Sequence, residues 1–366
     1  MPAIRPRFRL RASRKGRSAF AAPSATRDRL SDLDWTGANP GNLNARCYVP
    51  AGIEGPAPLI VVLHGCTQDA AVYDHGSGWS TLADRHGFIL LFPEQRRANN
   101  PMLCFNWFSG NDTARDMGEA ASIRSMIGAM ATAHDIDPER IFVTGLSAGG
   151  AMASAMLATY PEVFAAGAII AGVAYGCAAD VTEAFDCMGG RARSDAEALA
   201  ARVRRASPHN GPWPRVQVWQ GSADRTVVAS NADSIVLQWT HLHGVGPKPD
   251  RSDEVEGYPR RAWLGAKGEP LVEQYEITGM AHGIPLDGGG EEPLGEAGAH
   301  MLDVGLSSTA RIAAFFGIAP EAEQRPRAAR PAAPSRSRPA AAKALPKASG
   351  PQEIIEDALR KAGLMR

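Results

Sequence analysis

Arg140-Ile141-Phe142-Val143-Thr144-Gly145-Leu146-Ser147-Ala148-Gly149-Gly150 sets a short β-branched and aromatic run against a corner built almost wholly of small residues. An Ala/Met-rich segment follows to Tyr160. Arg140–Thr144 reads as a buried strand, the glycines as a tight corner, and the rest as a helix. The same alternation repeats outward. Pro58–Leu63 and Gly87–Pro93 read as strands before it. Met117–His134 reads as a helix with Ile123, Met126, Ile127 and Met130 on one face, closed by Asp137-Pro138. Beyond it come strands at Phe164–Ala171, Val216–Trp219 and Val272–Thr278, with helices through Ser234–Trp239 and Ser307–Phe316. Strands alternating with helices predict an α/β chain, its central sheet mostly parallel with helices on both faces.

The corner Gly145–Gly149 fits G-x-S-x-G. A strand before it and a helix after it supply the setting of a nucleophile elbow, in which the serine stands exposed at a strained turn at the carboxyl end of the sheet. Ser147 is therefore the expected nucleophile of an α/β-hydrolase. A serine hydroxyl needs a base, and in this fold the order along the chain is Ser, Asp or Glu, then His. Asp224 ends Gly221-Ser222-Ala223-Asp224 just after a late strand, whereas Asp233 lies inside a helical stretch. Four histidines follow. His241 and His243 close a helix and are expected to face water, and His300 sits in a Gly-rich loop. His282, in Gly279-Met280-Ala281-His282-Gly283 beyond the last strand, is best placed to reach Ser147. The oxyanion needs two donors. Ala148 N–H is one. The other is expected from the loop His64-Gly65-Cys66-Thr67-Gln68, with Cys66 first and Gly65 next. His64 precedes the serine, and its expected role is structural.

The chain has 366 residues and no net formal charge. The zero hides an asymmetry: residues 1–30 carry nine Arg/Lys against one Asp, and 319–350 seven against two, so 31–318 is acidic. Basic tails on an acidic body argue against nucleic-acid binding. No apolar run is long enough for a membrane span. Residues 1–30 read as a basic disordered tail, 31–318 as the catalytic domain, 319–350 as a Pro/Ala/Arg-rich linker. Residues 351–366 read as a short amphipathic helix, expected to dock on its own domain, a partner or a polymer granule. No apolar h-region follows the basic start, so the chain reads as cytoplasmic, or its true N-terminus differs from the one given. Five cysteines without C-x-x-C or zinc-like His spacing leave at least one thiol free and suggest no metal.

Beyond the serine corner, His64–Gln68, Gly76-Ser77-Gly78-Trp79, Phe92-Pro93-Glu94-Gln95 and Cys104-Phe105-Asn106-Trp107-Phe108 occur in that order. With the Gly221–Asp224 and Gly279–Gly283 loops, this chain resembles the polyhydroxybutyrate depolymerase family of esterases, related to feruloyl and acetylxylan esterases, from about Asn44 to Ile318. The resemblance implies an α/β-hydrolase fold without cofactor and a Ser147–Asp224–His282 triad. It also implies an oxyanion hole lined by Cys66, a cleft lined by Trp107, and bridges Cys66–Cys104 and Cys177–Cys187. Members are often extracellular, and depolymerases of solid polymer carry a binding domain after a linker, where this chain has only the short helix. The expected substrate is a short-chain 3-hydroxybutyrate ester, polymer or oligomer. A feruloyl or acetylxylan ester is the alternative, and an acyltransferase using the same acyl-enzyme is a further one.

Overall fold

The computed structural model describes residues 28–192, 194–289 and 293–320. Most of the basic tail, nearly all of the linker and the whole C-terminal helix expected from the sequence lie outside them. In chain order the elements are β1 (Ser31–Asp32), β2 (Asn44–Tyr48), β3 (Ala57–Leu63), α1 (Ala70–Ser77), α2 (Trp79–His86), β4 (Ile89–Glu94), α3 (Gly110–Thr113), α4 (Gly118–Ala133), β5 (Ile136–Leu146), α5 (Ala148–Thr159) and β6 (Ala166–Ile170). There follow α6 (Val181–Met188), α7 (Ala196–Ala206), β7 (Arg215–Gly221), α8 (Ser230–His243), β8 (Arg251–Val255), β9 (Tyr258–Leu264), β10 (Pro270–Ile277), β11 (Ile284–Leu286), β12 (Met301–Asp303) and α9 (Ser308–Phe315).

Ten strands form one sheet in the order β1-β2-β4-β3-β5-β6-β7-β10-β9-β8. The six from β4 to β10 run parallel, and antiparallel strands extend both edges. Both faces of the parallel strands are covered, which is why they read as unbroken apolar runs. In β3, Leu59, Val61 and Leu63 face the layer of α4, α5, α7 and α8, while Ile60 and Val62 face α1, α2 and α9. Helix α5 is buried on every side, so it is built from Ala, Gly, Met and Leu with only Ser154 and Thr159 as polar residues. This is the α/β-hydrolase arrangement.

Three details differ from the sequence reading. Strand β5 begins at Ile136, so Asp137-Pro138 lies within it rather than merely closing the preceding helix. The sheet continues past Val272–Thr278 into the β8–β9 hairpin, which the sequence did not announce. The helix through Ser234–Trp239 is longer, and His243 near its end is half-buried, with Nε2 3.1 Å from Pro214 O, rather than facing water.

Candidate active site

The parallel strands carry their carboxyl ends to one edge, and the expected residues follow three of them. Ser147 comes directly after β5, Asp224 three residues after β7, and His282 five after β10. Ser147 has φ +57°, a region costly for any residue with a Cβ. Its neighbours explain how the corner closes. A Cβ on Gly145 would lie 2.4 Å from Gly149 O, and one on Gly149 would lie 2.3 Å from Leu63 O. Only glycine allows β5, β3 and α5 to approach this closely.

Asp224 and His282 are bound to each other. His282 Nδ1 donates to Asp224 Oδ2 at 2.7 Å, and both side chains are largely buried. The other carboxylate oxygen, Oδ1, accepts the N–H of Thr226 at 2.8 Å and of Val227 at 3.0 Å, and Gln220 Nε2 donates to Oδ2 at 3.2 Å. A carboxylate only accepts, so the imidazole proton sits on Nδ1 and leaves the Nε2 lone pair free. The loops holding the pair are stitched together. Ala223 N–H donates to Met280 O at 3.0 Å and Gly279 N–H to Ser222 Oγ at 2.9 Å. Gly221 passes so close that a Cβ would lie 2.3 Å from Met280 O. No hydrogen bond joins Ser147 Oγ to His282 among the described residues; such contacts commonly tighten only when substrate binds.

The competing residues are occupied elsewhere. Asp233 pairs with Arg261, and His241 with Glu197. His300 lies edge-on to His282 with ring centres 5.8 Å apart, and its Nδ1 is 3.1 Å from His282 O. His64 is buried; its Nε2 accepts Gln95 N–H at 3.1 Å, so Nδ1 carries the proton toward Gly65 O at 2.8 Å. Burial holds its pKa below the ordinary histidine value. A neutral, doubly bonded imidazole of this kind props the loop rather than moving protons.

Cys66 and Ala148 both line the cleft at Ser147, and neither backbone N–H has a protein acceptor among the described residues. Cys66 is bridged to Cys104, which ties the His64–Gln68 loop to the Cys104–Phe108 loop. That second loop is anchored on buried Glu119, whose carboxylate accepts Asn106 N–H and Asn106 Nδ2 at 2.9 Å each and Gln95 Nε2 at 2.5 Å. Burial, with the charge of Asp112 added, pushes Glu119 up to about 8.

Trp107 lines the cleft, packed edge-on against Phe108. A further part of the lining was not anticipated. It is helix α6, which presents Val181, Ala184, Phe185 and Met188 to the cleft. Their i, i+3, i+4, i+7 spacing is the signal that could have revealed an apolar face. Asp180 caps the helix through Glu183 N–H, and a Cys177–Cys187 bridge pins it; Cys47 is a buried free thiol. Among the described residues no cluster of three His, Cys, Asp or Glu is placed to hold a metal, and no helix is long and apolar enough to cross a membrane.

Comparison with known proteins places these features in context. Residues 43–250 match the family described as esterase PHB depolymerase. The chain is 46% identical over 307 residues to poly(3-hydroxyalkanoate) depolymerase C of Paucimonas lemoignei, covering 82% of this chain and 74% of that protein. It is 34% identical over 274 residues to an acetylxylan esterase of Coprinopsis cinerea, covering 73% and 72%. Among solved structures, an acetyl xylan esterase from Aspergillus awamori superposes with TM-score 0.68 at 25% identity, over 79% of this chain and 99% of that one.

Proposed function

The chain belongs to the esterase PHB depolymerase family of carboxylic ester hydrolases, and from that premise we propose that it cleaves 3-hydroxyalkanoate esters through a Ser147–His282–Asp224 triad. The observation that carries the chemistry is the 2.7 Å bond from His282 Nδ1 to Asp224 Oδ2, which leaves Nε2 as the free base.

In the first step Ser147 Oγ attacks the ester carbonyl carbon while His282 Nε2 takes the hydroxyl proton. Asp224 holds the tautomer and supports the imidazolium charge. The carbonyl oxygen becomes an oxyanion facing the N–H groups of Cys66 and Ala148, the latter at the start of α5 where the helix dipole adds to the field. Collapse breaks the ester C–O bond, and His282 returns its proton to the departing alcohol. Water then attacks the acyl-enzyme, giving a proton to Nε2. The second collapse frees the acid and restores the serine hydroxyl. Trp107 and the apolar face of α6 would flank an aliphatic acyl or alcohol portion, and a short methyl-branched hydroxyacid suits such walls.

Identity favours the hydroxyalkanoate reading, at 46% against 34% for the acetylxylan esterase. The structural likeness to an acetyl xylan esterase over nearly all of that enzyme supports sugar acetate as the second reading. The test is a panel of 3-hydroxybutyrate trimer, methyl ferulate and acetylated xylan with wild type and Ser147→Ala. The trimer is expected to give the highest kcat/KM, and Ser147→Ala to lose at least about 10³-fold on it while keeping its fold. Normal turnover by a folded Ser147→Ala protein would remove the serine mechanism, and a preference for acetylated xylan would replace the substrate.

A further inference from the structure

Helix α6 borders two adjoining hollows. One is the apolar cleft beside Ser147. The other shares Phe185, Met188 and Thr226 with it, so the two adjoin at these side chains, and Arg191 and Arg225 line the second one. The two arginines are not equivalent. Arg191 Nε donates to Asp186 Oδ1 at 2.7 Å and its Nη2 to Phe185 O, so its charge is already shared. Arg225 is exposed and has no ion-pair partner among the described residues.

The backbone that carries Arg225 is held from both sides. Asp224 Oδ1 accepts the next two backbone N–H groups, and Val228 N–H donates to Met188 O at 3.0 Å, fastening the loop to the end of α6. The backbone of Arg225 is thus held next to the proposed orienting carboxylate, and its side chain lines a hollow adjoining the cleft at Ser147.

We propose that this second hollow is a carboxylate subsite, in which Arg225, helped by Arg191, holds a free carboxylate carried by the substrate. The proposal rests on the hydroxyalkanoate reading above and sharpens it. An apolar cleft recognises aliphatic bulk but cannot tell one end of an oligoester from the other. A guanidinium can, because its fork matches a carboxylate in two parallel hydrogen bonds. A soluble 3-hydroxybutyrate oligomer carries one carboxylate, at one end. Holding that end registers the ester bonds relative to Ser147, so cleavage counts from the acid terminus. A uronate on an acetylated sugar polymer would offer the same group, and the experiment separates the two sources.

KM and kcat are measured with the full chain on 3-hydroxybutyrate trimer as the free acid and as its methyl ester, at low and high salt. The free acid is expected to have a KM lower by up to about fivefold, the upper end for an exposed charge pair, and the gap is expected to shrink as salt screens it. Arg225→Gln is expected to bring the two KM values together, and Arg225→Lys to keep part of the gap. Equal KM values in the wild type, or a gap that survives Arg225→Gln, would overturn the subsite. Acetylated xylan with and without uronate side groups is run alongside. An Arg225-dependent preference confined to the uronate-bearing polymer would overturn the oligoester assignment. Failure to turn over either trimer would overturn the substrate reading and the subsite with it, whereas turnover of both trimers without a gap overturns the subsite alone.

Discussion

Asp224→Asn separates orientation from charge at the proposed base. The two oxygens of Asp224 have different duties: Oδ1 accepts two backbone N–H groups, and Oδ2 faces His282 Nδ1 and Gln220 Nε2. An asparagine must place one oxygen and one NH2 in the same positions. Turning the NH2 toward Oδ1 would set it against two fixed donors, at about 1 kcal/mol or more for each lost bond. The oxygen therefore stays at Oδ1 and the NH2 points at His282. The imidazole can meet a donor only by accepting at Nδ1, which moves its proton to Nε2. It then has no lone pair for the serine proton. The expected loss in kcat is about 10⁴-fold, as the wrong tautomer costs in other serine hydrolases, or about 5.4 kcal/mol of barrier. The assay is kcat for p-nitrophenyl butyrate, with the rate of covalent labelling by an organophosphate as a second measure of serine reactivity. Circular dichroism and urea melts check the fold. A folded variant that retains a tenth of wild-type kcat would refute the assignment of Asp224 as the orienting acid.

Gly149→Ala is expected to cost about 3 kcal/mol or more, because its Cβ would sit 2.3 Å and 2.5 Å from the backbone oxygens of Leu63 and His64, which cannot swing aside; a urea midpoint unchanged from wild type would contradict the packing described. Phe185→Ala is expected to lower kcat/KM for butyrate esters about tenfold relative to acetate esters, since it removes the one aromatic side chain that α6 contributes to the cleft lining, and an unchanged ratio would place the acyl group elsewhere. Stability is expected to peak between about pH 6 and 7. Below about 6.5 the unfolded chain takes up protons that His64 and His243, held down by burial, refuse, so stability is lost as pH falls. Glu119, pushed up to about 8, keeps a proton that the unfolded chain has released, so stability is lost as pH rises toward that value. Urea midpoints from about pH 5 to 9 test this, and a steady climb across the range would contradict it.

The serine corner was legible because its constraints are local. A strand, a crowded turn and a helix must follow one another within eleven residues, and only small residues fit the turn. Asp224 and His282 could be singled out by position as candidates, since each follows a strand in the parallel set. What escaped was set by distant contacts. Arg251–Val255 looks like a charged loop, yet it pairs with β9, and Arg260 binds Asp253 across the hairpin. Its two-residue turn uses Glu256-Gly257, both at positive φ, in place of the Asn-Gly or Asp-Gly that flags such hairpins in sequence. Pro138 hid the start of β5, because proline is tolerated only near a strand end or edge. His243 seemed bound for solvent as a helix-terminal residue; its half-buried place against Pro214 depends on the segment before β7, far from it in sequence. The wall formed by α6 has helical spacing, but nothing in the sequence says which cavity that face would meet.

The stitching of the Gly221–Asp224 and Gly279–His282 loops gives the site an internal fault line. Asp224 and His282 follow β7 and β10, which are hydrogen-bonded neighbours, while Ser147 follows β5, with β6 lying between. Any loosening of the sheet that slides these blocks leaves the imidazole correctly oriented and merely farther from its target. Damage of that kind would silence turnover while the histidine kept its proton on Nδ1, so the imidazole ¹H resonance downfield of the amide region would outlast activity during gentle warming. The order in which the two signals vanish therefore reports where the sheet parts first.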